Sequence, residues 1–384
     1  MRRIILALTV VALVATVSFA QNGGHLLINN DNFNANTADI DTVTASGGLT
    51  LLATVSTGGT GLGGGYFAAP RNAVSQNLKC FFVSDAGSND IAAFQIPSLH
   101  KTGNYSNAAL AGDFDGIGLV VSPNGKFLYS AWSSSFNTAI WSIGSDCSLT
   151  MVGSPLSQPD AVASMAITHD GRALVVVYPN LGEAQAYGLN ASTGAMTAIG
   201  SPLDFNSAVS SCASTGCFPT GVDVDNTDTN WVFGNAVITP SILTAKANNH
   251  GFTSAALVTF NSSLTNVETP WFSPAGRAGN GNLYIGASGF GSFYPGGIIV
   301  CTYNNGAITY VGSTNGNGAA YYAGNVQSIG SSGTGSPITQ IWSDGSANNT
   351  VQSYTVSGTT LTPASSLKTS SSGSFAFSTN GVSH

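Results

Sequence analysis

The chain has 384 residues and a net charge of −7, with 7% of its residues charged and 43% hydrophobic. Proteins that bind nucleic acid or anionic membranes present a basic surface, so this composition argues against both partners. Disordered chains combine low hydrophobicity with high charge, which this chain does not. The abundance of Gly, Ser, Thr and Asn predicts a folded domain of short strands and tight turns.

The first twenty residues have the pattern of an export signal. Arg2 and Arg3 precede an uncharged apolar run over residues 4–17, which is followed by small side chains. The run is shorter than the ~18–20 residues that span a bilayer, so we expect no membrane span. We predict a signal peptide at 1–20 and a mature chain, 21–384, that forms one domain and is secreted, periplasmic or displayed at the cell surface.

An internal repeat begins about 100 residues along the mature chain. The segments GLVVSPNGKFLYSAW and SMAITHDGRALVVVY each place an Asn-Gly or Asp-Gly turn between two apolar strands, and Gly125 and Gly171 are 46 residues apart. Asn-Gly and Asp-Gly favour tight hairpins, and a fixed period of roughly 20–50 residues indicates a repeat fold. Weaker copies of the turn lie near Asn77, Asp228, Gly281, Gly335 and Gly381. Seven turns predict seven blades.

The two ends of the mature chain complement each other. The last segment, GSFAFSTNGVSH, is typical of a first strand and its turn, and the segment that begins GHLLINND supplies a second, third and fourth strand. Joined, they complete one blade and remove the open sheet edges. We therefore predict an all-β, seven-bladed β-propeller of four-stranded antiparallel blades, closed by pairing of the C-terminal strand with the N-terminal blade.

The repeat unit resembles that of a known family. Its order of strand, turn with a basic residue, second strand and Asn/Ser-rich loop is similar to the lactonase-type seven-bladed propellers, and SPNGKFLYSAW is the best local match. That family includes 6-phosphogluconolactonases, fungal carboxymuconate cyclases and secreted YVTN-repeat proteins. The resemblance implies the fold, and it implies that catalytic His, Arg and Glu side chains of active relatives lie at one mouth of the channel. Those positions cannot be matched here residue by residue, and one scaffold hosts many functions.

The channel mouth is where a propeller normally binds its ligand, between the loops that follow each second and fourth strand. Guanidinium groups can hold a carboxylate or phosphate, and aromatic rings can stack on sugars. The ligand-binding candidates there are Arg71, Arg277, Tyr66, Phe114, Trp271 and Tyr321. The alternative is that the arginines pair with nearby Asp or cap their own loops, and that the rings only pack the loops.

Ionisable groups suited to catalysis are scarce. Asp113 and Asp160 are candidate bases, whereas His169, in ITHDG, is expected to be a surface turn residue. Two acidic segments, 113–116 and 223–228, lack the full spacing of a calcium loop, so we predict Asx-rich turns and no cofactor or metal. Ca²⁺ is the one ion that their oxygen ligands would suit.

Five cysteines in an exported chain indicate disulfide bonds. Cys212 and Cys217 are close enough in sequence to close a small loop. Cys80 and Cys301 occur within strand-like runs, where a cysteine is usually a small buried apolar side chain, and Cys147 falls in a turn. The pairing of these last three is open.

Two main functions remain. The first is a binding module without chemistry of its own, which takes a small molecule, glycan or protein at the mouth. The second is a hydrolase or isomerase for a lactone or carboxylated small molecule, with Arg71 and Arg277 as anion anchors and an Asp such as Asp113 or Asp160 as base; it requires these side chains to converge at one mouth. A structural role through self-assembly, and the choice between monomer and homo-oligomer, stay open.

Overall fold

The computed structural model describes residues 25–44, 46–63, 71–75, 79–112, 116–249, 251–287, 296–315, 329–331, 340–345, 350–370 and 377–383. The predicted signal peptide, 1–20, lies outside these ranges. Within them, no helix is long and apolar enough to cross a bilayer.

The described chain forms seven antiparallel blades. Blade 1 contains β29 (Phe377–Ser383), β1 (His25–Asn29), β2 (Thr37–Val43) and β3 (Leu49–Ser56). Blade 2 contains β4 (Asn72–Val74), β5 (Cys80–Asp85), β6 (Asp90–Gln95) and β7 (Lys101–Tyr105). Blade 3 contains β8 (Ile117–Val121), β9 (Phe127–Trp132), β10 (Asn137–Ile143), β11 (Leu149–Met151) and the short β12 (Leu156–Ser157). Blade 4 contains β13 (Ser164–Ile167), β14 (Ala173–Tyr178), β15 (Glu183–Leu189) and β16 (Met196–Asp204).

The remaining three blades follow the same order. Blade 5 contains β17 (Pro219–Val224), β18 (Asn230–Asn235), β19 (Ser241–Asn248) and β20 (Gly251–Thr259). Blade 6 contains β21 (Val267–Phe272), β22 (Asn280–Ala287), β23 (Gly297–Asn304) and β24 (Ala307–Asn315). Blade 7 contains β25 (Ile329–Ser331), β26 (Gln340–Gly345), β27 (Thr350–Ser357) and β28 (Thr360–Lys368). Three one-turn helices lie in connections: α1 (Phe205–Ala208), α2 (Cys212–Thr215) and α3 (Pro274–Arg277).

The first strands form a closed cycle. The first strand of each blade contacts the first strand of the next, and the cycle returns from β25 through β29 to β4. β29 also pairs with β1, so the C-terminal strand completes the N-terminal blade as predicted. Asn380 and Gly381 lie within β29, at an irregularity in its pairing, and not in the turn that their sequence predicts.

The core lies between neighbouring blades. Second strands such as β5 and β9 are buried on both faces, because each blade is covered by a blade on either side, whereas fourth strands such as β3 alternate between exposed and half-buried positions. Gly125 and Gly171 have φ of 68° and 69°, which is the left-handed conformation that the predicted Asn-Gly and Asp-Gly turns require. The repeat pattern therefore located these hairpins correctly.

The ring has two faces with different connections. The mouth face carries the loops between second and third strands and the connections from fourth strands to the next first strand. Its described second-to-third-strand loops are 30–36, 86–89, 133–136, 179–182 and 236–240. The turn face carries the turns after first and third strands. Turns on this face include 122–126, 144–148, 168–172, 225–229 and 273–279.

Two disulfides are present. Cys212 and Cys217 are bonded across α2 on the mouth face. Cys80 and Cys147 are also bonded, across 67 residues, and join blade 2 to the third-strand turn of blade 3 on the turn face. Cys80 is buried, as its strand-like run predicts, and the pairing that the sequence left open is with a cysteine of the neighbouring blade. Cys301 is free and buried, and burial raises the pKa of its thiol to about 12.

Candidate functional site

Arg71 lies on the mouth face, immediately before β4, but its side chain is buried. Its Nη1 is 2.7 Å from Oδ2 of Asp31, and neither side chain is exposed. Oδ1 of Asp31 accepts the amide of Leu62 at 3.0 Å. The guanidinium lies against Gly116, where φ is +97° and a Cβ would approach Arg71 Nε to 2.8 Å. The charge of Arg71 is thus paired beneath the surface, and its predicted contact with a ligand stays a prediction.

A second buried acid, Asp85, joins blades 1 and 2 beneath the same face. Its Oδ1 accepts Asn36 Nδ2 at 2.7 Å and Thr57 Oγ1 at 2.8 Å, and its Oδ2 accepts Asn104 Nδ2 at 3.3 Å. Burial raises the pKa of Asp85 to about 8, although the hydrogen bond from Asn36 opposes this shift. These contacts hold the loops of two blades together below the surface.

Asp160 is on the mouth face, in the connection from blade 3 to blade 4. Its Oδ1 accepts Asn180 Nδ2 at 3.4 Å, a long contact, and its Oδ2 is buried without a hydrogen bond from the part of the chain that the structure describes. A carboxylate oxygen without a hydrogen bond could take a proton, but this one is itself buried, so a ligand reaches it only if the loop around it moves. The other proposed base, Asp113, lies outside the described residues, as do Tyr66, Phe114 and Tyr321.

The surface of the mouth face carries exposed apolar side chains at the tips of four loops, which we call the apolar rim. Phe33 is 65% exposed, Phe136 43%, Leu181 40% and Ile238 61%. Each lies between the second and third strands of its blade, in blades 1, 3, 4 and 5 respectively. The other large apolar side chains exposed among the described residues are on outer strands. The rim is therefore a property of one face.

The loops of the apolar rim also lack exposed charge. The five described second-to-third-strand loops contain one charged residue, Asp31, and it is buried against Arg71. Phe33, Leu181 and Ile238 could not be identified as rim residues from the sequence alone. The available signal was one large apolar residue at the same point of the repeat, between the second and third strands, amid Asn, Ser, Gly and Pro.

Arg277 is not at the mouth, so the prediction that it precedes a first strand was wrong. It ends α3, between the first and second strands of blade 6, on the turn face. Its Nη2 is 2.7 Å from Oδ2 of Asp223, and its Nη1 donates to His169 Nε2 at 2.8 Å. Because arginine only donates, Nδ1 of His169 carries the proton and donates to Asp228 Oδ1 at 2.9 Å. Arg71 and Arg277 therefore lie on opposite faces.

Trp271 is also displaced from its predicted place. It lies within the first strand of blade 6, is 7% exposed and stacks on Tyr284 with ring centroids 6.0 Å apart. The first strand, Val267–Phe272, includes Pro270. A first strand is hydrogen-bonded mainly to its second strand, and its channel edge tolerates a residue without an N–H.

The acidic segment 223–228 forms a hydrogen-bonded turn. Asp225 is buried and accepts Tyr303 Oη at 2.7 Å, Asn230 Nδ2 at 2.8 Å and Thr227 Oγ1 at 2.6 Å. These bonds, with further ones from Asn230, hold the pKa of its carboxyl below the usual range in spite of burial. Within the described residues, no group of three or more His, Cys, Asp or Glu side chains is placed to hold a metal ion.

Comparison with known proteins rests on structure alone. No protein-family model matches the sequence, and no curated protein matches it. A putative 6-phosphogluconolactonase from Bacteroides uniformis is 9% identical with a TM-score of 0.70, covering 92% of this chain and 99% of that one. A second, from Bacteroides fragilis, is 14% identical with a TM-score of 0.68, covering 94% and 99%. The periplasmic gluconolactonase of Pseudomonas aeruginosa is 12% identical with a TM-score of 0.64, covering 93% and 99%. The chain therefore has the fold of the lactonase-type seven-bladed β-propellers, as its repeats predicted.

Proposed function

We propose that the protein is an exported propeller that binds a glycan or protein partner through its mouth face and performs no chemistry on it. The observation that carries this proposal is the apolar rim of Phe33, Phe136, Leu181 and Ile238. Exposed apolar side chains grouped on one face are typical of interaction surfaces. The predicted signal peptide at 1–20 supports export, and an exported protein would meet extracellular or periplasmic partners.

The buried ion pair supports a binding role over an enzymatic one. Arg71 is neutralised by Asp31, and Arg277 is on the opposite face, so these two arginines do not form a common anion site. The rim offers contact area without ordered charges. Burial of apolar surface is worth about 25 cal/mol per Å², so a partner that covers these four side chains gains affinity from each of them.

Lactone hydrolysis is the second candidate. The named activity of the Pseudomonas aeruginosa neighbour favours it, as does the unused carboxylate oxygen of Asp160 at the mouth. In this candidate Asp160 is the base that activates water, and a partner for the developing oxyanion has to come from the rest of the mouth.

The decisive experiment compares two variants of the mature chain, 21–384. The rim variant carries Phe33→Ser, Phe136→Ser, Leu181→Ser and Ile238→Ser. The matched control carries Leu51→Ser, Leu52→Ser and Val311→Ser, at exposed apolar positions on outer strands that are 40%, 39% and 45% exposed. Each protein is applied to a glycan array and, in a second arm, cross-linked to the secreted fraction of its host.

We expect binding by the wild type and the control in at least one arm, and a loss of at least about 100-fold in the rim variant. Equal binding by the rim variant, or no specific binding in either arm, contradicts the proposal. A parallel assay measures acid release from γ- and δ-lactones. Lactone turnover by the wild type that is lost in Asp160→Asn would contradict the binding module and support the hydrolase.

A further inference from the structure

A groove of about 330 Å³ opens between blades 5 and 6, at the turn-face end of their outer strands and away from the mouth. Its volume is at the lower end of the range of small-molecule sites, roughly 300–1,000 Å³. It is separate from the apolar rim and from the side chains that Arg277 contacts on the turn face, Asp223 and His169.

One wall of the groove is the face of blade 5 that is turned toward blade 6. Val232 on this face packs into the cluster shared with Leu283 and Ile285 of blade 6. Because side chains alternate along strands and paired residues share a face, two rows of three side chains cross the wall. These rows are Asn230, Lys246 and Ser254, and Val232, Thr244 and Ala256. The opposite wall is formed by Tyr303, Gly306 and Ile308.

Small residues keep the groove open. Ser254 and Ala256 stand on the outer strand of the wall, and Gly306 faces Asn230, whose Oδ1 would be 3.2 Å from a Cβ at Gly306. The neighbouring seam, between blades 4 and 5, is filled at comparable outer-strand positions by Ile199, Phe252 and Leu257. The same architecture is thus closed by large side chains in one seam and left open in the next.

The charge at the groove is a single ammonium. Lys246 is exposed; its backbone carbonyl accepts Thr253 Oγ1 at 3.2 Å, and within the described residues its Nζ has no ion pair or hydrogen bond. Ser254 stands beside it in the same row. The nearby acid, Asp225, already accepts Tyr303 Oη and Asn230 Nδ2. Asn230, which holds Asp225, lies on the inner side of Lys246 in the same row, so a ligand carboxylate is favoured on the outer, Ser254 side of Lys246. An apolar body is favoured along Val232, Ala256 and Ile308.

We propose that this groove binds a small organic monocarboxylate, with the carboxylate on Lys246 and Ser254 and an aromatic or aliphatic body between blades 5 and 6. The apolar wall supplies burial, and Lys246 supplies the charge that distinguishes an acid from its neutral analogue. This binding is independent of the proposed function at the mouth.

The test titrates the mature chain with phenylacetate and hexanoate, observed by calorimetry and by chemical-shift changes. Phenylacetamide is the neutral ligand control. Lys246→Met removes the charge but keeps an apolar stem, Ala256→Leu narrows the groove, and Lys126→Met is the matched control at an exposed lysine on the turn face.

We expect a carboxylate to bind, at least tenfold weaker binding of phenylacetamide, and losses of at least tenfold in Lys246→Met and Ala256→Leu but not in Lys126→Met. Thermal unfolding checks that each variant is folded. If Ala256→Leu does not fold, Lys246→Met alone tests the proposal, because Lys246 is exposed and its substitution should not disturb the fold. The proposal is overturned if neither carboxylate binds, or if Lys246→Met binds both as the wild type does.

Discussion

The two faces of the propeller place their polar groups at different depths. On the mouth face the charges of Arg71 and Asp31 are buried and paired, and the tips above them are apolar. On the turn face Asp223, Arg277 and Asp228 are partly exposed and tie turns of neighbouring blades together. The mouth face is stabilised by an ion pair beneath its surface, which leaves that surface available for contact. On the turn face, the surface side chains themselves hold neighbouring blades together.

The largest expected effect comes from Arg71, and it sharpens this comparison. Arg71→Ala leaves Asp31 buried without its partner, which costs roughly 3–5 kcal/mol in the free energy of unfolding. Arg277→Ala breaks a pair that is partly exposed, and should cost less than about 1 kcal/mol. Denaturant unfolding measures both. Equal losses would show that the two faces do not differ in this way.

A buried acid that lacks partners gives a pH-dependent effect of similar size. Asp41 in blade 1 is 1% exposed, and neither of its carboxylate oxygens has a hydrogen bond within the described residues. Burial, with the charge of Asp39, raises the pKa of Asp41 to about 7. The folded state therefore holds a proton that the unfolded state releases near pH 4, and stability falls as the pH rises from about 4 to about 7.

The loss in the free energy of unfolding is complete above pH 7 and amounts to about 4 kcal/mol. Asp41→Asn, which mimics the protonated acid, should leave stability unchanged at pH 4 and raise it at pH 8. Asp39→Asn is the comparison variant and should raise stability at pH 8 by less, because it removes only the smaller cause of the shift, the charge of Asp39, and leaves Asp41 buried. Parallel pH profiles for wild type and Asp41→Asn would refute the assignment.

The two disulfides should differ by about a factor of two in what they contribute to the free energy of unfolding. Loop-closure entropy assigns about 4 kcal/mol to a bond that closes 67 residues, as Cys80–Cys147 does on the turn face, and about 2 kcal/mol to Cys212–Cys217 on the mouth face. We expect the Cys80→Ser, Cys147→Ser pair to lower stability more than the Cys212→Ser, Cys217→Ser pair. Calorimetry of each double variant measures the difference, and the reverse order would contradict it.

The smallest effect on stability belongs to the apolar rim. Each Ser substitution at Phe33, Phe136, Leu181 or Ile238 removes an exposed side chain and should change the free energy of unfolding by less than about 0.5 kcal/mol. Phe82→Ala, in the core between blades 2 and 3, should cost about 3–5 kcal/mol. A rim substitution as costly as Phe82→Ala would mean that the rim serves folding and not contact.

The fold was largely predictable from sequence because its signals are local. The turns at Gly125 and Gly171 depend on neighbouring residues, and the complementary ends required only a count of strands. The pairing of Arg71 with Asp31, and of Cys80 with Cys147, depends on the packing of one blade against the next. Period and turn chemistry do not encode these contacts.

The candidate site was less predictable for the same reason. The repeat places the turn of blade 6 near Gly281, but Gly281 lies within the second strand, Asn280–Ala287. The first strand therefore includes Trp271, and Arg277 lies in the turn that follows it and not at the mouth. The rim was harder to find because a single Phe, Leu or Ile in one polar loop is weak evidence, and the pattern depends on comparing the same loop between repeats. Phe33 and Ile238 become meaningful only through their shared position in the ring.

The most direct test of the mouth face as the binding surface is hydrogen exchange of the mature protein, alone and with the partner identified by the rim and control variants. We predict that slowed exchange is confined to the loops at 30–36, 133–136, 179–182 and 236–240. Slowed exchange at 122–126, 168–172 or 225–229, with the mouth loops unchanged, would place the partner on the turn face and contradict the proposed function.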